Sequence, residues 1–343
     1  MDHLLQHHGD VDAEPGLLDF AVNVRGSRPP TWLRERLIAA VDGLGRYPSA
    51  AQDAAARAVV AARHGREPAE VLVLGGVADG FALLPALAPR SAAVVHPSFT
   101  EPEVALRRAG IPVTRVFTDT AHRLQPARIP TDADLVVLGN PTNPTSVLHP
   151  AGMVRGLARP GRVLVVDEAF ADSEPGERES LATDRDTPGL LVFRSLTKTW
   201  ALPGLRAGYA MGAPGLLARL AAPRPPWPVS TLVLEAVRAC SAPAAVAEAS
   251  AAAAQTVRHR NWMLRHLTGL PGVTVHQPAA APFLLLRVPD GERVRSVLAG
   301  AGIAVRRADT FPGLSPDHLR VAVRPPEIAA SLVDALRVAL VVP

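Results

Sequence analysis

The sequence predicts an α/β fold, a large domain on a mostly parallel sheet of seven strands followed by a smaller α+β domain. Apolar runs with β-branched residues recur along the chain, helical segments separate them, and beyond a proline-rich stretch at 222–228 the pattern changes. The runs lie at 71–75 (VLVLG), 92–96 (AAVVH), 112–117 (PVTRVF), 135–139 (LVVLG), 162–166 (RVLVV), 190–194 (LLVFR) and 206–211 (RAGYAM). Segments 81–87 and 101–109 read as two of the intervening helices. After the hinge candidate at 222–230, an alanine-rich helix is expected over 232–267, then strands at 272–277, 283–288, 303–306 and 319–323 with helices between them. The expected division is an N-terminal arm at 1–28, a large domain at 29–230 and a small domain at 231–343.

Open parallel sheets bind ligands beyond the C-terminal ends of their strands. Three polar motifs fall there: LGNPTNPT at 138–145, VVDEAF at 165–170 and SLTKTW at 195–200. They converge on one sheet edge, which is the candidate site.

Composition narrows the class. With 343 residues, 48% hydrophobic and 20% charged, the chain is globular and long enough for more than one core. No apolar run reaches membrane-spanning length free of charges or prolines, and the opening MDHLLQHHGDVDAEP has no basic stretch followed by an apolar core, so neither a membrane span nor a secretory signal is expected. A single cysteine, Cys240, makes no internal disulfide and agrees with a reducing cytoplasm. The pI near 10.1 comes with a net charge of only +4, and the arginines are dispersed among acids. Nucleic-acid binding is therefore not expected.

Of the 36 basic residues only Lys198 is a lysine. A chain that uses arginine wherever positive charge suffices keeps a lysine for what guanidinium cannot do: lose its proton when desolvated and attack a carbonyl carbon. Ser195 and Arg206 flank it in sequence, a hydroxyl and a cation that together can hold a phosphate. Asp167 ends an apolar strand, where a carboxylate needs a cationic partner such as a protonated pyridine nitrogen; its structural alternative is to cap the segment that follows. The turn GGVADG at 75–80 follows a strand and opens a helix, so amides at Gly76, Val77 and Ala78 can add an anion site. Asn143 is a turn residue before Pro144 that can also donate to a phenolate oxygen.

SLTKTWALPGLRAGY, VVDEAF, GNPTNPT and the C-terminal RVAVR together resemble the fold-type-I pyridoxal-phosphate-dependent enzymes of the class I/II aminotransferase superfamily, over most of the chain. The resemblance implies pyridoxal 5'-phosphate as cofactor, no metal, and a homodimer with shared active sites. It also implies roles: Lys198 as the Schiff-base lysine, Asp167 on the pyridine nitrogen, Asn143 on the ring hydroxyl, and Phe99 stacked on the ring. Ser195, Arg206 and the Gly76–Val77–Ala78 amides would hold the cofactor phosphate, Tyr47 of RYPS would reach the neighbouring subunit's phosphate, and Arg320 would bind the substrate carboxylate. Four positions depart from the pattern: Ser146 for a glycine, Thr199 for an aromatic, and Ser230 and Pro282 for asparagines.

Within the superfamily the chain is most similar to the branch of histidinol-phosphate aminotransferase and the L-threonine-O-3-phosphate decarboxylase of cobalamin biosynthesis. HHGD at 7–10, LDFAVNV at 18–24 with Asn23, Phe170 in place of a tyrosine, and FPGL at 311–314 lean towards the decarboxylase. By that resemblance His8 and Arg306 take the substrate phosphate, and Asn23 also contacts substrate. Transamination is the alternative, because the bond that breaks is set by angles a sequence does not encode. A cofactor-binding regulator without catalysis is opposed by the retention of Lys198.

Overall fold

The computed structural model describes residues 3–341. The arm contributes a short strand, β1 (Leu18–Asp19). The seven apolar runs become β2 (Val71–Leu74), β3 (Ala92–His96), β4 (Val113–Phe117), β5 (Leu135–Gly139), β6 (Val163–Asp167), β7 (Leu190–Ser195) and β8 (Gly208–Gly212). They form one sheet in the order β2-β8-β7-β6-β5-β3-β4, with only β8 reversed, antiparallel to both β2 and β7. Side chains alternate between two cores. Val136, Leu138, Val166 and Val192 enter one with Trp200 and Tyr209, while Leu135, Val137, Val165 and Phe193 enter the other with Phe81. Helices on both faces call for strands that are mainly apolar, and these are, apart from polar residues at strand ends and on the edge strand β4.

The smaller body has an antiparallel sheet of β9 (Thr274–Val275), β10 (Phe283–Arg287), β12 (Arg306–Arg307) and β13 (His318–Ala322), ordered β12-β13-β10-β9. Its remaining strand, β11 (Ile303–Ala304), pairs in parallel with β1, so the arm docks on a body far from it in sequence. Arg324 completes that docking by donating to the carbonyls of Asp19, Val22 and Val24 at 3.0, 2.9 and 3.0 Å.

Two sequence expectations change. The helix expected over 232–267 is two, Thr231–Cys240 and Pro243–Leu267, because Pro243 has no N–H to continue the first and starts the second instead. The strand expected over 303–306 is divided at Val305 between β11 and β12, which belong to different sheets. Val233, Leu234 and Val237 of the first helix, and Ala249 of the second, pack into the large-sheet core. A domain boundary inside the second helix, after Ala249, is accordingly our proposal in place of 230/231.

Three of the departures have local explanations. Ser146 sits at φ 64°, where glycine is at ease. It is held there by the Ala281 N–H on its Oγ and the Ala280 N–H on its carbonyl, both at 2.8 Å, and so ties the large body to the small. Ser230 caps the helix Thr231–Cys240, accepting from the Val233 N–H at 3.3 Å. Pro282 needs no amide hydrogen, since its carbonyl makes the contact, to the Val323 N–H at 2.8 Å.

Candidate active site

The ends of β5, β6 and β7, the turn after β2 and the N-terminal arm enclose a cavity of about 550 Å³. Among the expected site residues, Val77, Ala78, Phe99, Asn143, Asp167, Ser195, Lys198 and Arg206 line it, as do His8, Asn23, Arg306 and Arg320. Gly76 and Tyr47 do not. Gly76 lies just behind, at φ 86°, where an added Cβ would come within 3.1 Å of Arg206 Nη2; its lack of a side chain admits the guanidinium. Tyr47 is 73% exposed and stacks on Trp227 with ring centroids 4.1 Å apart.

Lys198 and Asp167 face each other electrically. Burial, Arg320 and Arg206 lower the Lys198 amine to about 8, against the pull of Asp167 and Asp10. Burial raises the Asp167 carboxyl to about 7, with Glu168 adding to the rise while the Ala169 N–H and Lys198 oppose it. Asp167 Oδ1 accepts that N–H at 3.1 Å, so the capping alternative is realised on one oxygen while the residue still lines the cavity. Among the described residues Lys198 Nζ and the Arg206 guanidinium have no hydrogen-bond or ion-pair partner. Each is therefore available to a ligand.

Arg320 is held from three sides. Its Nη1 donates to Asn143 Oδ1 at 2.6 Å and its Nη2 to the Ala21 carbonyl at 2.5 Å, and the guanidinium lies over Phe283 at 5.5 Å. With its amide turned to satisfy both groups, Asn23 accepts from the same Nη1 at 3.1 Å. Because Asn143 gives its oxygen to Arg320, its Nδ2 remains a donor. Gly9 packs on this arrangement, for a Cβ there would meet the Ala21 carbonyl at 2.9 Å and Arg320 Nη2 at 3.3 Å.

Arg306 is committed to the arm. Nη1 reaches Asp12 Oδ2 at 3.1 Å and the Arg307 carbonyl at 2.7 Å, and Nη2 reaches the His7 carbonyl and Thr310 Oγ1, both at 2.7 Å. All four Nη hydrogens are thus engaged, and the residue acts first as a latch. His8 is no free arm histidine: its Nε2 meets Glu101 Oε1 at 2.8 Å, and its ring lies 5.5 Å from that of Phe99. Glu101, Thr310 and the latching Asp12 escaped sequence reasoning. Glu101 could have been noticed as the acid that opens the helix Glu101–Arg108 directly after HPSFT.

A lone unpaired amine, a carboxyl at the end of a buried strand and an unpaired guanidinium beside a glycine turn suit an aldehyde, a pyridine nitrogen and a phosphate respectively. Fold and site define a fold-type-I pyridoxal-phosphate enzyme. The chain belongs to the class I and II aminotransferase family, whose sequence model matches residues 16–336, and pyridoxal 5'-phosphate is its cofactor. A histidinol-phosphate aminotransferase of Mycobacterium tuberculosis is 52% identical over 331 residues, covering 96% of this chain and 90% of the relative. Threonine-phosphate decarboxylase of Salmonella typhimurium is 32% identical over 342 residues, covering 94% and 90%. The crystal structure of the histidinol-phosphate aminotransferase from Clostridium acetobutylicum superposes with a TM-score of 0.87 at 21% identity, over 94% of this chain and 99% of that one.

Proposed function

We propose that this enzyme is an aminotransferase that takes the amino group of a phosphorylated amine, histidinol phosphate being the first candidate, and passes it to a 2-oxo acid. The observation that carries the reading is the 52% identity to a histidinol-phosphate aminotransferase along nearly the whole chain, against 32% to the decarboxylase. This reverses the order that the short motifs suggest. Decarboxylation of L-threonine-O-3-phosphate stays as the second reading because Phe170 lines the cavity where aminotransferases of the family usually carry tyrosine, and because the HHGD arm reaches into it. Purified enzyme given histidinol phosphate and 2-oxoglutarate should form glutamate; release of carbon dioxide from L-threonine-O-3-phosphate, with no glutamate, would establish the second reading instead.

Bound pyridoxal phosphate supplies an electron sink that stabilises negative charge at the substrate α-carbon. In our assignment Lys198 would hold the cofactor through its aldehyde and would move the proton at the substrate carbon that bears the amino group. An amine lowered to about 8 changes protonation near working pH, as such a task requires. Asp167 holds the proton on the ring nitrogen. Ser195, Arg206 and the Gly76–Val77–Ala78 turn would take the phosphate, Asn143 would donate through Nδ2 to the ring hydroxyl, and Phe99 would pack against the ring. Arg320 receives the carboxylate of the 2-oxo acid, with Asn23 orienting it. Arg306 and His8 hold the arm in place, and the Arg306 guanidinium puts positive charge near the substrate phosphate.

The two arginines should then fail differently. Arg320→Ala removes a charge-assisted carboxylate contact worth about 1.5–3 kcal/mol, so kcat/KM for 2-oxoglutarate should drop by roughly one to two powers of ten. Arg306→Ala should instead depress the phosphorylated amine and narrow the preference for it over the unphosphorylated alcohol. Steady-state kinetics on each substrate separates the two; equal losses on both would refute this division.

A second copy of the chain is part of the proposal. Tyr47 lies outside its own cavity and stacks on Trp227, and we take this pair with the exposed Ile38, Val41 and Leu44 as one apolar face. A twofold dimer would bury that face and bring Tyr47 towards the partner's phosphate. Sedimentation should show a dimer, and Tyr47→Phe should weaken cofactor retention without dissociating it; a fully active monomer would contradict the arrangement. The sole cysteine, Cys240, is buried with its thiol pushed up, and no helix among the described residues is long and apolar enough to cross a membrane. Both fit our placing of the enzyme in the cytoplasm.

A further inference from the structure

Strand alternation turns Arg194 away from the cavity that Ser195 lines, into a buried ionic network that the chemistry above leaves unused. Arg194 Nη1 reaches Glu168 Oε2 at 3.2 Å and Glu177 Oε2 at 2.6 Å, and its Nη2 bonds Asp172. Arg63 Nη2 bridges Asp172 Oδ1 at 3.1 Å and Glu177 Oε1 at 2.9 Å. Glu168 also accepts from Ser180 Oγ and the Leu181 N–H, both at 2.6 Å. Arg194 and Glu168 are each 1% exposed. Ion pairs at that depth rarely stabilise a fold more than apolar residues of the same shape, so a stability role alone is a weak account of them.

Their position in the chain suggests another. Glu168 follows Asp167 and Arg194 precedes Ser195, both residues of the cavity, and the Glu168 N–H bonds the Phe193 carbonyl at 2.9 Å. We propose that Arg194 is a positioning residue for Asp167: it neutralises Glu168 and clamps the ends of β6 and β7, so that Asp167 faces the cofactor's ring nitrogen as a carboxylate. Burial raises the Glu168 carboxyl, but the Ser180 hydroxyl and the Leu181 N–H favour its charged form even without that cation, and its charge one residue away opposes a second charge on Asp167. Glu168 and Lys198 are the charged groups acting on Asp167 itself. Arg194 and Glu177 act on Glu168, with Asp172, Arg63 and Tyr209 beyond them. His64, bonded to Tyr209 at 2.9 Å, is held neutral by burial and by the two arginines. The inference holds whichever amino compound the enzyme takes.

The test uses the full chain with Arg194→Met, Glu168→Gln and both together. One readout is the pH at which the Asp167 carboxyl titrates in cofactor-free protein, followed by isotope-edited infrared and assigned by its loss in Asp167→Asn. The others are the pH dependence of the holoenzyme's visible absorbance, and kcat and KM taken separately. Arg194→Met should raise the Asp167 titration by about one pH unit and lower kcat about tenfold near neutrality with KM little changed. Glu168→Gln should shift the titration downward, and the double variant should return it close to the unaltered value. If Arg194→Met does not fold, Glu168→Gln decides alone. A downward shift supports the proposal. No shift, an upward shift, or two single variants moving the titration the same way overturns it, because a merely structural network has no reason to give opposite signs.

Discussion

Lys198→Ala should abolish turnover, by at least about 10³-fold, while the cofactor still enters the cavity. Lys198 supplies the one side-chain amine there, and the other binding groups, Ser195, Arg206 and the turn at Gly76, are untouched by the change. Borohydride reduction followed by peptide mapping should attach the cofactor to Lys198 in the unaltered protein and to nothing in the variant. Lys198→Arg should fail as completely, since guanidinium keeps its proton and cannot add to an aldehyde. The approach of the cofactor to stripped protein carries a pH signature with a definite sign. Only the neutral amine reacts, so the rate should rise with pH and level off above about 8, the value to which burial, Arg320 and Arg206 lower Lys198. A plateau reached only near the ordinary lysine range would show that the amine is not depressed.

Asp167→Asn should lower kcat by at least about 100-fold, with KM nearly unchanged, because the amide cannot keep a proton on the ring nitrogen and the electron sink weakens. The same substitution should stabilise the cofactor-free protein at alkaline pH. The folded carboxyl is raised to about 7 from 3.8, so between those values the folded state holds a proton that the unfolded state has released. Stability from this group is present below the lower value and is lost as pH rises through the upper one. Asparagine has no proton to lose, so thermal melts of the stripped variant should exceed those of the unaltered protein at pH 8 and converge with them at pH 4. A variant that melts lower at both pH values would mean that Asp167 serves mainly as a cap for Ala169.

Much of the frame was legible because burial leaves a local mark. Every strand of the large sheet announced itself as an apolar run, since a strand covered on both faces is mainly apolar and leaves polar residues to its ends and to the sheet edge. The cofactor-site residues were legible for a related reason: they follow those runs directly, and a carboxylate, an amine or an Asn-Pro turn stands out beside valines. Pro243 was misread because an alanine-rich stretch on either side outweighs one residue in a periodicity, although that residue decides the backbone.

The arm was the least legible part. That His8 pairs with Glu101, that Asp12 latches Arg306 and that Arg324 holds three carbonyls of 19–24 are all contacts between segments far apart in the chain. No local pattern encodes them. By itself the sequence determined the α/β class, the strands, the cofactor and the identity of the reactive amine, because each depends on residue types next to one another. Only the tertiary structure decided that Arg306 is tied up by the arm, that Asn143 is turned by Arg320 to leave its amide hydrogens free, and that a buried arginine stands behind Asp167. The physical reason is that hydrogen-bond occupancy and electrostatic field depend on which distant groups the folded chain brings within a few ångströms.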